Sequence, residues 1–144
     1  MKEFIELTYG AKIIPQDDGY LVKFRDFDNI FTESDTFEEA LHNAREALDG
    51  VLAQMQENNE HIPLPSACRK DEYPIPVSPE IAAPILLYTL RKKQAYTLSE
   101  VAKVMNIPYQ QYQRLEHNGN MTLRSLKKAV IAMGGRVEIK LYIN

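Results

Sequence analysis

Tyr109, Gln110, Gln111, Gln113 and Arg114 are five polar residues with no acid among them, spaced along one short helical stretch. Glutamine can pair with adenine and arginine with guanine through two hydrogen bonds each, so this group suits reading base edges in a DNA major groove. Lys103, Arg124, Lys127 and Lys128 lie around it, and Arg91-Lys92-Lys93 precede it, all cations able to meet phosphates. RNA fits less well, because no sheet carries an aromatic stacking platform. The plainer alternative is a helical dimerisation module whose glutamines are only solvated. A second group, Asp17, Asp18, Asp26 and Asp28, flanks the first strands and has the chemistry of a Mg2+ site. Two of these acids fall in a turn and nothing encloses a cleft, so a solvated acidic rim is the expectation. His42, His61 and His117 lack ligand spacing, and neither a phosphate-binding Gly-rich loop nor a nucleophile elbow is present. No catalysis, metal or cofactor is expected.

The elements that must position the polar group are helical. Thr97 with Glu100 forms a capping box opening a helix from Leu98 to Met105. Asn106-Ile107-Pro108 makes a tight turn, and Tyr109 to His117 forms the next helix. Asn118-Gly119-Asn120 ends it with residues that accept left-handed geometry. Met121 to Met133 follows, with Thr122 as cap, a stripe of Leu123, Leu126, Ala129, Val130 and Met133, and Gly134-Gly135 as its stop. Upstream, Ser78 and Pro79 start a helix in which Pro84 should cause a kink or a restart.

Charge divides the chain. Residues 1–79 hold seven Lys/Arg against sixteen Asp/Glu, a net of -9, whereas residues 80–144 hold ten against four, a net of +6. Such asymmetry points to two different partners. With 44% hydrophobic and 26% charged residues, the composition is that of an ordinary globular protein. Ile81 to Leu90 is the longest apolar run and Pro84 interrupts it, so no membrane span is expected. The start MKEFIE lacks the apolar core of a signal peptide, and Cys68 is the sole cysteine. Both features agree with a cytoplasmic setting.

The acidic half alternates loosely from Lys2 to Ile14, turns at Pro15-Gln16-Asp17-Asp18-Gly19, and returns as a strand from Tyr20 to Phe24. A third strand is expected at Ile30 to Glu33. Phe37, Ala40, Leu41, Ala44, Leu48, Val51, Leu52 and Met55 then form one helical stripe, capped by Thr36 with Glu39 three residues on. Ile62-Pro63-Leu64-Pro65 cannot continue that helix. Tyr73 to Val77 adds a short edge strand, since its prolines are tolerated only at an edge. The expected domains are 1–66 for the acidic α+β layer, 67–78 for a proline-containing linker, and 79–144 for the helical unit.

Gly19-Tyr20-Leu21-Val22-Lys23-Phe24 followed by Asp26, then Asp35-Thr36, Glu38-Glu39-Ala40, Ala44, Ala47-Leu48 and Ile62-Pro63-Leu64-Pro65-Ser66, resembles the HicB antitoxin family. Arg25-Asp26-Phe27-Asp28-Asn29 departs from it, since proline and glycine are usual in that loop. Leu98 to His117 looks like a phage-repressor-type helix-turn-helix: Ala102 lets the helices touch, Ile107 is the turn residue, and Tyr112 and Leu115 anchor the second helix. Asn106 stands where that motif has glycine, and Pro108 where it has a hydroxyl cap. The HicB resemblance implies an incomplete RNase H-like sheet of three or four strands with one helix. It also implies a type II antitoxin that covers the RNA-binding face and catalytic histidine of a small basic HicA-like toxin and represses its own operon. Asp17, Asp18, Asp26, Asp28 and Glu33 are the candidate toxin-binding residues, and operator DNA is the expected second partner. A stand-alone regulator whose first domain senses a ligand or another protein is the alternative.

The last stretch alternates Val137, Ile139, Leu141 and Ile143 against Arg136, Glu138, Lys140 and Tyr142. It reads as a strand in a domain with no other strand. Its unpaired backbone predicts a homodimer through the C-terminal half, strand against strand.

Overall fold

A computed structural model describes residues 3–117 and 121–143 and shows an α+β chain dividing into two compact units, one running to Ala82 and the other starting at Ala83. In the first unit, β1 (Thr8–Gln16), β2 (Gly19–Phe24), β3 (Phe31–Ser34) and β4 (Tyr73–Pro76) form an antiparallel sheet in the order β3-β2-β1-β4. One helix, α1 (Phe37–Glu57), covers one face. Its buried residues Ala40, Ala44, Leu48 and Leu52 recur every four residues, and Tyr9, Ala11, Val22, Phe24 and Ile75 of the sheet are buried as well. Phe37, Leu41, Val51 and Met55 of the expected stripe flank this line half-buried. The Thr36 hydroxyl accepts the Glu39 N–H at 3.2 Å, fixing the helix start where the sequence places it. Such a bond is worth about 1 kcal/mol.

Strand boundaries differ from expectation, because strands exist only where they have neighbours; β2 starts at Gly19 and β4 ends at Pro76, each one residue off. β1 begins at Thr8 rather than Lys2: β4 ends opposite Thr8 and β2 opposite Ala11, and Phe4 is 78% exposed. β1 also runs through Pro15 to Gln16, leaving Asp17-Asp18 as the turn. The missing N–H of Pro15 costs nothing there, because it points past the end of β4. β3 spans Phe31 to Ser34, one residue later than expected. Residues 67–78 supply β4, whose Pro74 and Pro76 alternate with Tyr73 and Ile75, the latter paired with Tyr9. The prolines therefore present a sheet edge without N–H donors.

Glu72 ties β4 to the rest of the unit. It is buried, accepts the Arg69 N–H at 2.9 Å, and forms a forked ion pair with Arg25 whose Nε bond is 3.2 Å. Gly10 leaves the room: a Cβ there would lie 2.5 Å from the Glu72 Oε1. Burial alone would raise the Glu72 pKa, but the bonds from Arg69 and Arg25 outweigh it and hold the carboxyl below its usual range. A depressed carboxylate contributes stability that is present above its unfolded pKa and lost as pH falls through the folded one. We expect Glu72→Gln to unfold at lower denaturant than wild type at pH 7, with the gap closing below about pH 4. Denaturant titrations at a series of pH values check it, and a gap independent of pH would contradict it.

The second unit holds α2 (Pro79–Lys93, entering from the first), α3 (Leu98–Met105), α4 (Tyr109–Leu115) and α5 (Leu123–Ala132). Pro84 does not restart α2, which is one helix. The Ser78 hydroxyl, expected as its cap, instead donates to Asp49, whose other oxygen accepts the Ser78 N–H at 3.0 Å. Leu87, Val101, Ala102, Tyr112, Ala129, Val130 and Met133 make the core. Leu123, expected in the α5 stripe, is 68% exposed. α5 ends as a Schellman motif: Gly134 takes φ 81°, its N–H reaches the Ile131 carbonyl at 3.0 Å, and the Gly135 N–H reaches that of Val130 at 2.9 Å. Residues 136–143 are exposed and pair with no strand among the described residues. A strand expected to pair with a copy of itself has no partner in one chain.

Candidate nucleic-acid interface and acidic surface

The α3–turn–α4 segment is built by local signals. Thr97 accepts the Glu100 N–H at 3.1 Å while the Glu100 carboxylate accepts the Thr97 N–H at 3.0 Å, completing the expected capping box. Asn106 caps α3 with φ 57°, a left-handed conformation that asparagine tolerates better than most residues. Pro108 precedes α4 and supplies no side-chain cap, though its carbonyl accepts the Gln111 and Tyr112 N–H groups at 3.0 and 3.2 Å. Ala102 is buried against the neighbouring helices, and Ile107 and Leu115 pack beside it half-buried.

α4 has two opposed faces. Tyr112 is fully buried, and Glu116 at the C-cap is also buried. At 100° per residue, Gln110 and Arg114 lie opposite Tyr112, four residues apart on the solvent side, with Gln111 and Gln113 flanking them. Gln110, Gln111 and Arg114 are exposed, Gln113 is half-buried, and Tyr109 is 44% exposed. Lys103 on α3 and Arg124, Lys127 and Lys128 on α5 are exposed in the same unit. Asn118, Gly119 and Asn120, expected to end the second helix, lie outside the described residues. α4 itself stops at Leu115 rather than His117.

Arg91 corrects the expected phosphate contacts. It is buried, its Nε and Nη2 donate to the two Glu116 oxygens at 2.7 and 3.0 Å, and its Nη1 donates to the Tyr96 carbonyl at 3.1 Å. Charge in the sequence suggested solvent or phosphate, but the guanidinium is spent inside, joining α2 to the end of α4. The bond to Glu116 pushes the Arg91 pKa further up. Burial raises the Tyr112 phenol, reinforced by its own hydrogen bond to Glu116. Lys92 remains outside, over the Tyr88 ring at 5.6 Å. Arg91 and Glu116 are 25 residues apart and no local pattern joins them, so the pair is not visible in the sequence.

The five candidate acids of the first unit do not converge. Asp17 and Asp18 occupy the β1–β2 turn, while Asp26 and Asp28 follow the far end of β2, whose six residues span about 20 Å. Asp26 is engaged: its oxygens accept the Ser66 N–H at 2.9 Å and hydroxyl at 2.6 Å, fastening the proline exit of α1. Glu33 is exposed on β3 opposite Leu21, on the sheet face away from α1. Among the described residues no group of three or more His, Cys, Asp or Glu is placed to hold a metal ion. Among them, too, no helix is long and apolar enough to cross a membrane.

Residues 8–83 match the family described as HicB_like antitoxin of bacterial toxin-antitoxin system. The chain is 32% identical over 110 residues to Antitoxin HicB 1 of Photorhabdus laumondii, covering 76% of this chain and 70% of that one. It is 28% identical to Antitoxin HicB of Escherichia coli over 135 residues, 92% and 98% of the two chains. Antitoxin HicB 2 of Photorhabdus laumondii is 29% identical over 92% of this chain and 95% of its own.

Proposed function

Since the chain belongs to the HicB-like antitoxin family of bacterial toxin–antitoxin systems, we propose that it neutralises a small basic RNA-cleaving toxin, HicA-like, and represses its own operon. The acidic half, with β4 from residues 67–78 included, covers the toxin's RNA-binding face. Exposed Asp17, Asp18, Asp28 and Glu33 steer the encounter with a basic partner. The C-terminal half binds operator DNA as a homodimer. The opposed faces of α4 carry that reading: Tyr112 anchors the helix while Gln110, Gln111 and Arg114 are left outside to meet bases. Lys103, Arg124, Lys127 and Lys128 supply phosphate contacts. The reading is of a binding protein with two surfaces, without catalysis.

The full-length chain tests both surfaces. In mobility shifts with DNA from upstream of its own gene, Arg114→Ala or Gln111→Ala should cost about 1–3 kcal/mol and relax preference at one base position. Lys127→Ala should weaken all duplexes alike and flatten the salt dependence. On co-expression with the toxin encoded beside it, Arg114→Ala should still restore growth. Reversing Asp17, Asp18 and Glu33 to lysine should not. Indifference of the wild-type protein to every duplex would end the repressor reading, and failure to rescue growth would end the toxin reading.

A further inference from the structure

We infer that the segment 136–143 pairs with its counterpart in a second copy of this chain in one register, with Ile139 on the two-fold axis. The inference rests on the reading that the C-terminal half forms a homodimer, and adds which residues face which. The segment leaves the Schellman turn at Gly134 and exposes Ile139 (67%), Leu141 (88%) and Ile143 (101%), with Val137 at the edge of exposure (37%). Arg136 Nη2 reaches Glu138 Oε1 at 3.3 Å, so these two already share a side, as alternation requires.

Charge selects the register. Directly opposed residues of an antiparallel pair lie on one face, so any odd offset would set apolar residues against charged ones and mix the two faces. Among the matched offsets, centring on Glu138 puts that acid against itself and Arg136 against Lys140. Centring on Lys140 opposes two lysines. Centring on Val137 pairs Arg136 with Glu138 but leaves Leu141 and Ile143 without neighbours, and centring on Leu141 sets Lys140 against Tyr142 but leaves Glu138 without an opposed cation. Centring on Ile139 sets Glu138 against Lys140 and Arg136 against the Tyr142 ring, each twice by symmetry, and Val137 against Leu141 on the other face. It pairs the whole segment from Gly135 to Ile143. A surface complementary only to its own copy in one alignment is what a two-fold contact requires.

Disulfide trapping reads the register in the full chain with Cys68→Ser, which removes the exposed native thiol. With Ile139 at the axis, Ile139→Cys should cross-link nearly fully under mild oxidation. Glu138→Cys and Lys140→Cys alone should not, because the two copies of each would stand about 8 Å apart, beyond disulfide reach. All three positions are exposed in the single chain, so the substitutions leave its fold intact. Charge reversal gives an independent readout by ultracentrifugation. Glu138→Lys or Lys140→Glu should weaken dimerisation about tenfold, and the double reversal should restore it to within about threefold. Dimers that cross-link at 137, 138 or 140 instead, or single reversals without effect, would overturn the register while leaving the dimer standing. A Cys68→Ser protein that is monomeric at every concentration would overturn both.

Discussion

Glu116→Ala is expected to destabilise the second unit by about 3–5 kcal/mol, the cost of leaving a buried guanidinium unpaired. Arg91 and Glu116 have side chains only 8% and 2% exposed, so solvent cannot replace the lost partner. Two bonds at 2.7 and 3.0 Å vanish with the carboxylate, and the Tyr112 hydroxyl loses a partner as well. Glu116→Gln keeps the shape and one acceptor but not the charge, and should fall between alanine and wild type. Replacing both residues together, Arg91→Met with Glu116→Leu, should recover part of the loss, because no buried charge is left unpaired, although the Tyr96 carbonyl and the Tyr112 hydroxyl still lose a partner. Denaturant unfolding of the full chain, followed by a probe in the second unit, measures all three. If Glu116→Ala unfolded within about 1 kcal/mol of wild type, the pair would be no more than an ordinary surface salt bridge.

Removing Val137 to Asn144 should produce monomers and lower operator affinity by about 10²–10⁴-fold. The reason is effective concentration. In a dimer, the second recognition helix reaches its half-site as an intramolecular event; in a monomer, each half-site must be found separately. Two helices related by a two-fold axis also demand half-sites about one helical turn apart, a spacing that a monomer would not read. Fluorescence anisotropy on DNA carrying one or two half-sites separates the effects. Affinity for a single half-site should be unchanged by the deletion, whereas the advantage of the second should vanish. Growth rescue on co-expression with the toxin should survive, since the sheet and α1 are untouched. A truncated chain that dimerises and keeps its preference for paired half-sites would refute the role given to this segment.

The sequence displayed what neighbours along the chain decide. The stripe of α1, the Thr36 cap, the Thr97–Glu100 box and the turn at Asn106-Ile107-Pro108 are all set by residues within four positions of one another, and each is where periodicity and spacing put it. The fourth strand was also legible, because Tyr73-Pro74-Ile75-Pro76 suits only an edge. Contacts between distant residues were not legible. Arg91 looks like any lysine-flanked arginine until Glu116 is brought beside it, and Asp26 looks like a free acid until Ser66 returns across 40 residues to claim both its oxygens. Leu123 fits a helical stripe by spacing, yet where a helix rotates against its neighbours is a matter of packing, and packing left it outside. The start of β1 failed for a related reason: alternation marks residues able to form a strand, while its ends are set by how far the adjacent strands extend.

Pro74 and Pro76 have a consequence at the level of many molecules. Chains that add sheet to sheet without limit need two receptive margins on every subunit, one to give and one to receive. The β4 margin offers no N–H at either proline, which leaves β3 at the opposite margin. A sheet with a single receptive margin can join at most one other sheet, after which growth from sheet to sheet has nowhere to proceed. Two imino acids in four residues thus act as a chain terminator for aggregation, allowing the sheet to keep an uncovered face without becoming the seed of a fibre.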